Sequence, residues 1–231
     1  MNSRTRLHET LNHKEPDRIP VDFGGTGVTG VHAKVVEGLR NHFGLEWKPV
    51  TVIEPYQMLG EIDEDLLELM EIDVVGLYGK KNLFGIVNNR WKEFKTWWGQ
   101  VVLLPGDFNT IPDSKGDLYV YPEGDKSVEP SAVMPAGSWF FNAIIRQPPF
   151  LEESLDPADN LEEFGPVLEE DLEWIDLEGE RLEKTDPFQV RTGRYRPCPW
   201  IAGETPKRHS RYQGMVHVDF DAAGLHPRSI R

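Results

Sequence analysis

The chain has 231 residues, 39% hydrophobic and 28% charged, with 39 acidic against 25 basic side chains, a formal net charge of −14 and one cysteine. This is enough chain for an ordinary core, so a disulfide-stapled miniprotein is excluded, and Cys198 has no second cysteine to pair with. A mean hydropathy of −0.49, no apolar run near the ~18 residues of a membrane span and an acidic surplus that repels phosphate make membranes and nucleic acids unexpected partners.

Met1-Asn2-Ser3-Arg4-Thr5-Arg6 opens a polar segment without the apolar centre of a signal peptide, so the cytoplasm is the expected compartment. Leu7 and Leu11 share a helical face and the pattern stops at Pro16, which predicts a short first helix. Ile19-Pro20-Val21-Asp22-Phe23 reads as a short strand. Gly24, Gly25, Gly27 and Gly30 follow, and then Val31, Val35, Leu39 and Phe43 repeat every four residues up to Gly44. The order is strand, glycine loop, helix.

Val50-Thr51-Val52-Ile53, β-branched and bounded by Pro49 and Pro55, predicts a second strand. Leu59, Ile62, Leu66, Leu69 and Met70 predict a helix, and Asp73-Val74-Val75-Gly76-Leu77 a third buried strand. Such alternation is the mark of an α/β fold. From Leu83 to Tyr121, aromatic and aliphatic residues mix with turns such as Pro105-Gly106 and Lys115-Gly116-Asp117, which reads as inserted β-hairpins. Pro122 to Gly137 reads as loop, and Ser138-Trp139-Phe140-Phe141 restarts apolar structure.

Glu152 to Lys184 carries 14 acidic and two basic side chains. Leu161, Phe164, Leu168, Leu172, Ile175 and Leu182 nevertheless fall at helical intervals, with Asp159 or Asn160 as cap, so an acidic, core-docked helix is expected and Glu169, Glu170 and Asp171 are expected to be solvated. After Thr185 the periodicity ends. Residues 186–231 hold eight basic and four acidic side chains, leaving 17 basic and 35 acidic in residues 1–185. The expected division is an α/β portion over 1–185 and an irregular basic tail over 186–231, whose one strand-like piece is Met215-Val216-His217-Val218 and which a frame shift would explain.

Gly25-Thr26-Gly27-Val28-Thr29-Gly30 satisfies the G-x-G-x-x-G pattern, follows a strand and opens a helix, the context in which backbone amides cradle a dinucleotide pyrophosphate. Its acidic partner is poorly spaced. Glu54 lies 29 residues after Gly25, beyond the usual ~20, and Glu46, at 21, falls in a loop. The glycines read equally as a tight turn where strand meets helix.

The wider stretch Arg6-Leu7 with Thr10-Leu11-Asn12-His13-Lys14-Glu15-Pro16-Asp17-Arg18-Ile19-Pro20-Val21-Asp22-Phe23-Gly24-Gly25 resembles the opening of the uroporphyrinogen decarboxylase superfamily, above all its branch related to corrinoid-dependent methyltransferases. Glu71-Ile72-Asp73-Val74-Val75-Gly76-Leu77, the Trp98-Gly99-Gln100 hairpin and the closing acidic helix extend the likeness over about residues 4 to 185. The resemblance implies the N-terminal portion of a (β/α)8 TIM-type barrel, with an inserted hairpin region and C-terminally incomplete, in which the glycine loop is a βα loop at the catalytic face. It also implies corrinoid and zinc as cofactors of a full-length methyltransferase relative, with a small molecule or a corrinoid protein as substrate.

Within that family, decarboxylases hold substrate carboxylates on paired arginines near the first strand, and here glycines and threonines stand in that place. Arg18 precedes the strand, at what would be the opposite end. The methyltransferases activate a thiol on zinc through histidine and cysteine, whereas Cys198, His209 and His217 lack ligand spacing, so no metal ligand is assigned. The remaining substrate-binding candidates are Asp22, Gly24, Gly25 and His32 around the glycine loop, Glu54 and Tyr56 ending the second strand, and Asp73. Asp22 and His32 also read as caps or loop anchors, and Asp73 as a residue of the barrel's bottom face. Trp91, Trp97 and Trp98 offer either a platform for a flat tetrapyrrole or a hairpin's aromatic core. The expected function is a methyltransferase or demethylase acting with a thiol-type acceptor. Cofactor-independent uroporphyrinogen decarboxylation, an inactive fragment with unpaired sheet edges and a dinucleotide-binding domain on Gly25, Gly27 and Gly30 are the alternatives.

Overall fold

The computed structural model describes residues 1–145, 168–184 and 188–191. These form a mixed α/β structure of small sheets and few helices. Helix α1 (Ser3–Leu11) is capped by the Asn2 side chain, which accepts from the Thr5 amide at 2.8 Å. The helix does not bury the expected Leu7 and Leu11 face. It buries Ser3 and Arg6 instead and leaves Leu11 exposed, because Arg6 has carboxylates to reach in the interior.

The predicted first strand contracts to one parallel bridge, Asp22 to Val74, supported by the Asp73 amide donating to the Val21 carbonyl at 2.9 Å. Helix α2 (Ala33–His42) follows the glycine turn, as expected. Its buried face, Ala33, Val36 and Arg40, is displaced by about one residue from the predicted stripe, and Val35 and Phe43 are exposed. Buried Arg40 explains the displacement: it donates to Asp63 at 3.1 Å and to both carboxylate oxygens of Asp65 at 2.8 and 2.9 Å.

Strand β1 (Val50–Glu54) is the second predicted strand, but it belongs to another sheet. It pairs antiparallel with β2 (Leu59–Gly60), which takes Leu59 out of the predicted helical stripe and leaves α3 (Glu64–Leu69) as the helix. Strand β3 (Val74–Leu77) matches the third. The hairpin of β4 (Lys92–Lys95) and β5 (Val101–Leu104) turns through Gly99 at φ +86°, and β5 also runs parallel to β1. Next comes an antiparallel meander of β6 (Thr110–Pro112), β7 (Leu118–Val120), β8 (Ala132–Met134) and β9 (Asn142–Ala143). The expected loop over 122–137 therefore contains β8, whose Ala132 and Met134 face the core. One hydrophobic cluster joins α2, β1, β5 and the meander, with Phe84, Phe108 and Phe141 meeting edge to face near 6 Å.

Helix α4 (Glu169–Glu183) carries the acidic first turn expected of it, favourable at a helix N-terminus. Leu182 is buried, whereas Leu168 and Leu172 are exposed. Leu161, Phe164 and the proposed caps lie outside the described residues. The expected boundary at Thr185 does not end the α/β alternation: β10 (Phe188–Arg191) pairs parallel with β3 along its whole length, and α4 packs against both. The Met215–Val218 segment and the proposed frame shift lie outside the described residues. Val74 thus sits between Asp22 on one side and Phe188 on the other, so three parallel segments stand side by side in chain order. Among the described residues the sheets remain separate and do not close into a barrel. No helix among them is long and apolar enough to cross a membrane.

Candidate functional site

The parallel ladder has two chemically different ends. At the end where strands begin, Asp73 is fully buried and receives Arg6 Nη1 at 2.5 Å, Arg18 Nη1 at 2.8 Å and the Val21 amide at 2.9 Å. Arg6 also reaches Asp17 at 2.7 Å, and the N-terminal ammonium lies 3.1 Å from the same carboxylate. Burial works to raise the Asp73 carboxyl, but the Val21 amide, Ser3, Arg6 and Arg18 outweigh it and hold the group below the usual carboxylate range. Every strong acceptor here is answered. Asp73 is therefore a structural anchor at the bottom of the ladder, and Arg18 stands beside it as expected.

At the opposite end the chain makes the glycine turn. Asp22 Oδ1 accepts from the Gly25 amide and the Thr29 hydroxyl, both at 3.0 Å. The Gly24 amide donates to the Thr29 carbonyl at 2.9 Å, and the Thr26 hydroxyl accepts from the amides of Val28 and Thr29. Gly24 has φ +94°, a conformation that side-chain-bearing residues rarely adopt. A Cβ on Gly25 would lie 2.7 Å from Asp22 Oδ1 and 2.8 Å from Val74 Cγ1. Conformation thus accounts for Gly24 and close packing for Gly25 and Gly30, whereas Gly27 meets neither constraint among the described residues.

That bonding weighs against a pyrophosphate cradle. The amides of Gly24, Gly25, Thr26, Val28 and Thr29 are all engaged within the turn. The first amides of α2 are engaged too: Ala33 donates to the Met58 carbonyl at 2.8 Å and Lys34 to His32 Nδ1 at 3.1 Å. A helix N-terminus whose donors already have partners offers an anion little.

Around the turn gather Glu54, Tyr56 and a residue the sequence reading did not single out, Tyr78. The Tyr78 hydroxyl donates to the Gly24 carbonyl at 2.6 Å. Burial, with the neighbouring carboxylates of Asp22, Glu54 and Glu61, pushes that hydroxyl well above its ordinary range, so it stays protonated. Glu54, the last residue of β1, accepts from the amides of Tyr56 at 3.0 Å and Gln57 at 2.8 Å. Burial overrides those two bonds and pushes its carboxyl up to about 7. Such a group both gives and takes a proton at neutral pH. The position of Tyr78 directly after β3 was the one available signal for it.

His32 and Tyr56 line an adjoining cleft of about 940 Å³, with Gly30, Lys34, Gln57 and the segment from Trp139 to Asn142. His32 is the N-cap of α2. Its Nδ1 accepts from the Lys34 amide, which makes Nε2 the N–H donor to the Trp139 carbonyl at 2.9 Å. Both ring nitrogens hold structure together, one as a helix cap and one as a loop anchor. Tyr56 likewise joins the walls, its carbonyl accepting from the Phe141 amide at 2.9 Å and its hydroxyl from the Ala143 amide at 3.3 Å.

The predicted tryptophan cluster forms differently. Trp97 and Trp98 pack on Trp139 at 5.1 and 5.0 Å between centroids, and Trp98 also meets His32 at 5.4 Å. The three rings meet at tilted or edge-on angles, and Trp97 and Trp139 stay exposed in part. Trp91 is no member of these ring contacts. Among the described residues no group of three or more His, Cys, Asp or Glu stands together to hold a metal, and Cys198, His209 and His217 lie outside them. No family model matches the chain, and no curated protein or solved structure matches it either.

Proposed function

We propose that the chain belongs to the uroporphyrinogen decarboxylase superfamily, in its corrinoid-linked methyltransferase branch, and that its described residues contribute the first strands of a (β/α)8-type barrel. The observation that carries this reading is the run of three parallel segments in chain order, Asp22, β3 and β10, with α4 packed across the last two. In barrels of this type the ligand meets the ends where strands finish. Here that end holds the Asp22 turn, Tyr78 and, from the neighbouring sheet, Glu54.

Arg6 and Arg18 favour methyl transfer over decarboxylation. Both are held by Asp73 at the opposite end, so neither is placed to hold a substrate carboxylate at the glycine turn. Among the described residues no zinc ligand set stands together. In this reading Asp22 fixes the turn, Tyr78 keeps its proton and holds the Gly24 carbonyl, and Glu54 exchanges a proton with a thiol-type acceptor at neutral pH.

The test is titration of the full chain with methylcobalamin, followed in the corrinoid's visible spectrum and in tryptophan emission. A saturable 1:1 change is expected. No saturable change up to ~1 mM, a concentration at which even a weak specific site fills, would overturn the proposal.

A further inference from the structure

The cleft between the start of α2 and the Trp139–Asn142 segment is not used by the chemistry proposed above. Its walls are fixed to each other before any ligand arrives: His32 bridges the Lys34 amide to the Trp139 carbonyl, and Tyr56 holds the backbone of both Phe141 and Ala143. A preformed cleft binds without the ordering cost of a mobile one. Its lining is aromatic and partly open to solvent, with Trp139 39%, Phe140 49% and Val35 49% exposed. Grouped exposed apolar surface of this kind marks an interaction site more often than scattered single residues do.

Charge selects the ligand. The chain carries −14 overall, yet among the described residues lining the cleft Lys34 has the only fixed charge, and no carboxylate among the described residues pairs with it. Its Nζ lies over the Trp139 ring, 6.0 Å from the centroid. Gln57 and Asn142 add neutral donors and acceptors at the rim.

We propose that this cleft binds a planar aromatic carboxylate, its ring against Trp139, Phe140 and Tyr56 and its carboxylate at Lys34. The inference is independent of the methyl-transfer reading, since it uses neither Glu54 nor the glycine turn's carboxylate.

The probes are 2-naphthoate, its neutral counterpart 2-naphthalenemethanol and the non-aromatic cyclohexanecarboxylate, each titrated into the full chain by calorimetry and tryptophan emission. Naphthoate is expected to saturate one site, with the other two about tenfold weaker. K34M should cut naphthoate affinity by about tenfold and leave 2-naphthalenemethanol unchanged, because it removes the charge and keeps the stem. V35E, at an exposed helix position, should abolish naphthoate binding by adding a carboxylate to the wall. If V35E fails to fold by circular dichroism, K34M decides alone. Equal binding of naphthoate and 2-naphthalenemethanol, an unchanged naphthoate affinity in K34M, or no naphthoate binding up to ~5 mM would each overturn the proposal.

Discussion

The two ends of the parallel ladder handle buried charge in opposite ways. Where the strands begin, Asp73 and Asp17 are matched by Arg6, Arg18 and the N-terminal ammonium, and their carboxyls are held below the usual range. Around the end where the strands finish, burial pushes Glu54 of the neighbouring sheet upward, and burial with nearby carboxylates pushes Tyr78 upward; the hydrogen bonds of both go to the backbone. A satisfied network rigidifies, whereas a carboxyl displaced toward neutral pH, as at Glu54, exchanges a proton more readily, and Tyr78 keeps its own. The difference sets a charge-paired end apart from one that holds a buried carboxyl shifted toward neutral pH.

The contrast breaks first at Asp73. Replacing it with Asn removes the charge that two arginines share and should cost about 3–5 kcal/mol, read as a lower urea midpoint; a loss under ~1 kcal/mol would reduce the network to surface pairing. Next come the glycines. Gly25→Ala should cost about 1–3 kcal/mol, since its Cβ meets Asp22 and Val74, while Gly27→Ala, with nothing within 4 Å, should stay within ~0.5 kcal/mol. Equal costs at the two positions would remove packing as the reason for the glycine pattern.

The pH dependence sharpens the comparison. Asp17 and Asp73, with lowered native pKa values, contribute stability above the ordinary carboxylate range that is lost as pH falls through their native values. Glu54 acts in the other sense. With its native value near 7 against 4.5 for the free group, its protonated form is compatible with burial below pH 4.5, and stability declines as pH rises from there through 7. Glu54→Gln should flatten that decline and be more stable than the parent at pH 8 by about 1–3 kcal/mol; identical pH profiles for parent and variant would contradict the assignment. The smallest expected effect is at Ser131, whose buried hydroxyl has no partner among the described residues. Ser131→Ala should be neutral or stabilising by up to ~1 kcal/mol, and a clear loss of stability would reveal a bond the geometry does not contain.

How far the sequence could be read follows the same division. Helix α2, β1, β3 and the hairpins were legible because apolar periodicity and turn glycines are local signals. The buried faces of α1 and α2 were not, because Arg6 and Arg40 are interior side chains whose carboxylate partners lie elsewhere in the chain. Strand β10 escaped notice because four residues in a basic segment show no period, and pairing with β3 supplies what periodicity lacks. Of the site, Asp22, Glu54, His32 and Tyr56 were reachable from their places at strand and loop ends, while Tyr78, Lys34 and Trp139 enter through long-range hydrogen bonds and ring contacts.

The most direct test of the division is an amide chemical-shift map of the full chain, labelled with 15N and titrated with methylcobalamin. Shifts concentrated at residues 24–29, Glu54 and Tyr78, with Arg6, Arg18 and Asp73 unmoved, are the predicted result. Shifts centred on the Arg6–Asp73 end, or none at saturating ligand, would contradict it.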